Sequence, residues 1–77
     1  MPAGEILYQN VIYKFEYSIL LPPFKGYECF LVKSGNRFSI YLDDDEMLLT
    51  YMPLAHLPED FIQVLLVEIR KIELSFM

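Results

Sequence analysis

A chain of 77 residues that is 55% hydrophobic and carries a net charge of −5 is expected to form a single domain over residues 1–77. Its core is thin, because a chain this short buries only about 60 to 65% of the surface it exposes when unfolded. The acidic balance argues against generic binding to a phosphate backbone, and the lone Cys29 cannot close a disulfide within the chain. The charge is uneven: residues 1–42 hold four basic and three acidic side chains, a net +1, and residues 43–77 two basic and eight acidic, a net −6.

The opening "MPAGE" has neither the basic nor the apolar region of a secretory signal. The apolar C-terminal stretch is interrupted by charges at positions 59, 60, 68, 70, 71 and 73, so no membrane span is expected. The expected setting is cytoplasmic and reducing. With a mean hydropathy of +0.30 and twelve residues that are Phe or Tyr, the chain has more apolar side chain than one small core hides. Association with a partner or a second copy is the expected outlet.

"VIYKFEYSIL" alternates, with Val11, Tyr13, Phe15, Tyr17 and Ile19 on one side and Lys14, Glu16 and Ser18 on the other. This predicts a strand with one buried face. The alternation extends back through Gln9 to Leu7, giving a first strand over about 5–20; a tight turn at Gln9-Asn10 is the alternative. "PPF" at 22–24 then marks a connection that either exposes Phe24 or tucks it over the edge of the core, the commoner arrangement.

"YECFLVK" and "RFSIYL" flank "SGN", which predicts strands over about 27–33 and 37–42 joined by a two-residue primed turn at Gly35-Asn36. With Ser34 opposite Arg37, Leu31 faces Ile40, Cys29 faces Leu42 and Lys33 faces Phe38, while Val32 faces Ser39 and Phe30 faces Tyr41. "MLLTYM" suits a fourth strand over about 47–52; a short helix begun at Asp43 with Glu46 as its capping partner is the alternative. From Pro58 a helix over about 58–75 is predicted by Pro, Glu and Asp in its first turn. Phe61, Ile62, Leu65, Ile69, Ile72 and Phe76 fall within about 100° of one another at 3.6 residues per turn, and Val67 and Leu74 form a second strip on the far side.

The predicted architecture is α+β: a four-stranded antiparallel β-meander packed on one C-terminal helix. The covered face would hold Tyr13, Phe15, Tyr17, Ile19, Cys29, Leu31, Ile40 and Leu42. The open face would show Ile12, Lys14, Glu16, Phe30, Val32, Arg37, Ser39 and Tyr41, and an apolar patch of that kind is one that a soluble monomer seldom leaves bare.

Candidate chemistry is sparse. Asp43, Asp44, Asp45 and Glu46 repel one another and belong in solvent at a turn. An EF-hand begun at Asp43 would need Gly and Glu where Leu48 and Leu54 stand, leaving a loose Mg²⁺ or Ca²⁺ contact or a basic partner as the other uses of the run. One histidine and one cysteine make no zinc set; Cys29 on the apolar face reads as core filling and His56 as a capping or surface residue. No cofactor, resident metal or small-molecule substrate is indicated.

Two functional expectations follow. The first is a non-catalytic protein–protein interaction module, as a homodimer, a small subunit, or an acidic inhibitor or adaptor, binding through Ile12, Phe30, Val32 and Tyr41 or through Val67 and Leu74. The second is single-stranded nucleic-acid binding on an aromatic and basic platform of Phe30 and Tyr41 with Lys14, Lys33 and Arg37. A four-stranded meander followed by a helix is similar in layout to the transcriptional-coactivator and whirly type of single-stranded DNA-binding proteins, a likeness of fold without a matching motif. An enzyme is expected only as a subunit whose site another chain completes.

Overall fold

The computed structural model describes residues 2–52 and 57–75. Five strands, β1 (Ala3–Tyr8), β2 (Val11–Ile19), β3 (Gly26–Leu31), β4 (Arg37–Leu42) and β5 (Leu48–Met52), are followed by one helix, α1 (Glu59–Ser75). The strands form a single antiparallel sheet in the order β1-β2-β3-β4-β5. The fold is thus an α+β meander closed by a C-terminal helix, with five strands where four are predicted.

The extra strand comes from the predicted first strand, which breaks at Gln9-Asn10. Both residues have positive φ, 50° and 64°, the geometry of a two-residue primed hairpin turn whose twist matches the flanking strands. The break reverses the chain and changes the parity of everything before it. Ile6 is buried and Leu7 is 64% exposed, the opposite of what unbroken alternation from Val11 would give.

The β3–β4 hairpin departs from its predicted register. Phe30 stands opposite Arg37, Cys29 opposite Phe38 and Tyr27 opposite Ile40. Gly35 is the only loop residue here with positive φ, at 75°, so the turn lacks the two left-handed residues that a primed two-residue loop requires. The loop is instead closed by Leu31 N–H donating to Asn36 O and Gly35 N–H donating to Leu31 O, each at 2.9 Å, while Val32 N–H donates at 3.0 Å to Lys14 O on β2. The register differs by an even number of residues, so the faces are preserved. Lys33 leaves the sheet for the loop, and Phe38 is buried beside Cys29 rather than facing an ammonium group.

β5 is a strand, as its β-branched and aromatic content favours, and it carries a bulge: Tyr41 pairs with Thr50 but Leu42 with Leu48, leaving Leu49 as the extra residue. Asp43 begins no helix. Its Oδ1 accepts from the N–H groups of Asp45 (2.9 Å) and Met47 (3.0 Å), and Glu46 takes positive φ of 62°. The acidic run is therefore a side-chain-braced turn with Asp44, Asp45 and Glu46 exposed.

The core lies between the sheet and α1. Phe15, Tyr17, Cys29, Leu31, Phe38, Ile40 and Tyr51 meet Phe61, Ile62, Leu65, Leu66 and Ile69, each fully buried aliphatic or Phe side chain contributing about 1.5 to 3 kcal/mol of transfer free energy. Ile72 packs at its margin, and Phe76 of the predicted stripe lies outside the described residues. Tyr13 and Leu42 are half-buried against the core. Ile19, expected inside, is exposed at the end of β2.

Two polar contacts tie the layers together. Tyr17 OH donates to Glu73 Oε2 at 2.5 Å, and Tyr8 OH donates to Asp60 Oδ2 at 2.8 Å. Burial first, and then the Glu73 carboxylate, holds the Tyr17 phenol well above its usual range. Arg70 adds a third tie, from its guanidinium to the backbone oxygen of Glu46. No described helix is long and apolar enough to cross a membrane.

Candidate interaction surface

The sheet face away from α1 is built from the alternate residues of each strand. Glu5 stands opposite Lys14, Ala3 opposite Glu16, Glu16 opposite Phe30, and Phe30 opposite Arg37. One row further along, Ser18 faces Glu28 and Glu28 faces Ser39. The middle of the open face is therefore ionic and hydroxylic, and the single apolar patch expected from the sequence is split in two.

One half lies at the β1–β2 turn. Leu7 is opposite Ile12, and Ile12 and Val32 are 60% and 46% exposed. Beside them runs a groove of about 230 Å³ lined by Val11, Ile12, Tyr13, Leu31 and Ser34 together with Lys14 and Lys33. Most of its lining is apolar and the charges that line it are cationic, with the exposed Glu5 across from Lys14 on the neighbouring strand. Alternation places Ile12 there, while the Val32 N–H bond to Lys14 O draws the start of the β3–β4 loop alongside.

The other half lies at the β2–β3 connection. Phe24 does not tuck over the core: it is exposed and stands edge-on to Tyr41, with ring centroids 5.9 Å apart. Together they flank a hollow of about 540 Å³ whose wall also includes Ser18, Glu28 and Ser39. Phe30 is half-buried, with the Arg37 guanidinium carbon 4.9 Å from its ring centroid. The two predicted aromatic contacts, Phe30 and Tyr41, thus already carry an intramolecular partner each, Arg37 and Phe24.

Val67 and Leu74 lie on α1 away from the sheet, 52% and 67% exposed. Leu74 belongs to a hollow of about 390 Å³ shared with Tyr27, Glu46, Arg70 and Glu73, so this strip ends among carboxylates. The structure brings Ile12 and Val32 together with Lys14 and Lys33, sets Phe30 with Arg37 and Tyr41 with Phe24, and leaves Val67 and Leu74 on another face. Leu7 is the residue that sequence reading missed; the signal for it was the Gln9-Asn10 turn.

The remaining candidates offer little chemistry. Cys29 is buried, and desolvation followed by the neighbouring Glu28 charge pushes its thiol up to about 12, so it holds its proton and is a poor nucleophile. Among the described residues no group of three or more His, Cys, Asp or Glu side chains is placed to hold a metal ion. His56 lies outside the described residues. No family model matches the chain, nor does any curated protein or solved structure.

Proposed function

We propose that this chain is a small non-catalytic protein–protein interaction module that binds its partner through the Leu7, Ile12 and Val32 end of the open sheet face. The observation that carries the reading is that exposed Leu7 and Ile12 stand opposite each other and exposed Val32 beside Lys14, next to a largely apolar groove that Lys14 and Lys33 also line. An apolar cluster with charged neighbours is the anatomy of a binding patch, and Lys14 and Lys33 favour a partner with acidic groups around an apolar anchor. The buried, protonated thiol of Cys29 suits a cytoplasmic, reducing setting in which it is packing and not chemistry.

The single-stranded nucleic-acid reading has less support. Glu5, Glu16 and Glu28 are interleaved with Lys14 and Arg37 on the same face, and a phosphate chain laid there meets carboxylates as often as cations. The Phe30 ring on which a base would stack is occupied by Arg37.

Affinity capture from the source cell with Ile12→Glu beside the wild type tests the proposal. The wild type retains a partner in fixed stoichiometry, Ile12→Glu loses it, and Val67→Glu keeps it. Equal capture by wild type and Ile12→Glu contradicts the assignment. A mobility shift of oligo-dT at low salt, where the electrostatic attraction is greatest, would favour the nucleic-acid reading instead.

A further inference from the structure

We infer that the hollow at the β2–β3 connection is a binding site for a small organic cation carrying a guanidinium group. It lies at the opposite end of β2 from Ile12, so the inference goes beyond the interaction reading and does not depend on it. The hollow measures about 540 Å³, within the range of about 300 to 1,000 Å³ typical of small-molecule sites. The groove at Ile12, at about 230 Å³, falls below that range.

Strand pairing builds the site. Ser18, Glu28 and Ser39 are successive partners across β2, β3 and β4, so their side chains stand in one row on the open face. The next row has Tyr41 opposite Gly26, and Gly26 adds no side chain to it. Three backbone bonds fix the connection: Leu20 N–H donates to Gly26 O at 3.1 Å, Leu42 N–H to Lys25 O at 2.8 Å and Phe24 N–H to Leu21 O at 3.2 Å. They hold Phe24 beside Tyr41, the two rings inclined at 66° with centroids 5.9 Å apart. The rings are thus two aromatic walls of the hollow that the Ser18–Glu28–Ser39 row also lines.

The lining selects the ligand. Of the described residues that line the hollow only Glu28 is charged; Lys25, next to Phe24 in the chain, is exposed and outside it, and Arg37 lies over the Phe30 ring. An anion is repelled, and one carboxylate with two hydroxyls offers too few oxygens for a hard metal cation, which takes about six or more. A quaternary ammonium has no donor for those oxygens, and a primary ammonium gives up strong hydration to lie against a ring. A planar guanidinium meets both demands, stacking on an aromatic face while its N–H fork donates to a carboxylate. The open face already seats one guanidinium on a ring: the Arg37 guanidinium carbon is 4.9 Å from the Phe30 centroid, one row from Glu28. Contacts of this number in an open hollow hold a small cation with a Kd of about 1 to 10 mM. At that affinity the site is sparsely occupied in dilute cell extract, and Phe24 stays accessible there.

Heteronuclear NMR titration of the backbone amides with propylguanidinium, propylurea and propylammonium, at matched ionic strength, tests the assignment. Propylguanidinium is expected to give saturable shifts at Phe24, Glu28 and Tyr41. Propylurea has the same shape without the charge and propylammonium the charge without the planar fork, and each should bind at least about tenfold more weakly. Glu28→Gln and, separately, Tyr41→Leu should each weaken propylguanidinium by about threefold to tenfold, the dispersed spectrum showing that each variant is folded. Shifts that never saturate and spread over the whole surface overturn the inference. So does binding at these amides that propylurea or propylammonium equals, or that neither substitution weakens.

Discussion

Two ionisable side chains of the core, Cys29 and Tyr17, are held in their neutral forms, and this makes stability fall at alkaline pH. The Cys29 thiol is raised to about 12 against about 8.5 in an unfolded chain. The unfolded state therefore loses its proton first, and the stabilisation is fully present below about pH 8.5 and is lost as pH rises towards the folded value, at up to about 1.4 kcal/mol per pH unit. Tyr17, raised by burial and by Glu73, adds to the loss only above about pH 10. Urea titrations between pH 7 and 10 should show the midpoint declining above about pH 8.5 in the wild type, and Cys29→Ala should flatten that decline although its cavity lowers stability at every pH. An unchanged slope in Cys29→Ala would show that the thiol is not the group responsible. Tyr17→Phe removes a hydrogen bond to a charged acceptor and should cost about 1 to 3 kcal/mol at pH 7, read from the same titration.

Among the secondary elements, the hairpins show how far local sequence reaches. The alternation in β2, the strand character of β5 and the apolar stripe of α1 were all readable, because each is a periodic pattern that one buried face imposes. Which residues of β3 and β4 share the core face was readable too, but not their register: Lys33 and Phe38 look like a matched pair until the loop is seen to close at Leu31 and Asn36. The reversal at Gln9-Asn10 was readable only as the alternative to one long strand, since the polar pair fits an unbroken alternation as well as a turn; the structure takes the turn. Nothing in the sequence pointed to the Tyr17–Glu73 or Tyr8–Asp60 bonds, which join residues more than fifty positions apart. Two glycines separate turn chemistry from close packing. Gly35 has φ of 75° with open space around it, whereas a Cβ on Gly26, φ 143°, would lie 1.8 Å from the backbone oxygen of Ile40. Gly35→Ala should cost about 1 kcal/mol. Gly26→Ala should cost at least about 3 kcal/mol, because backbone rather than a movable side chain blocks it; thermal melts that rank the two the other way would contradict the β3–β4 geometry.

At the scale of the whole molecule the two sides of the sheet differ: α1 packs on one, and the other keeps its exposed apolar residues towards its ends, around a row of Ser18, Glu28 and Ser39. The sequence revealed the excess of apolar side chain but merged those ends into one patch, because Glu28 and Ser39 face each other only once the register is known. The acidic turn at Asp43–Glu46 stands at the β4–β5 connection, and the groove at Ile12, whose lining includes Lys14 and Lys33, lies at the β1–β2 end. On the proposed reading, a partner carrying acidic groups would be drawn to the groove by attraction and kept from the turn by repulsion. Side-chain oxidative footprinting of the protein, alone and in extract of the source cell, tests the binding assignment most directly. Protection of Leu7, Ile12 and Val32 in the extract, with Leu21 and Phe24 as reactive as in the isolated protein, is the predicted result. Unchanged oxidation at Leu7, Ile12 and Val32, with protection appearing at Phe24 or Leu74 instead, would contradict it.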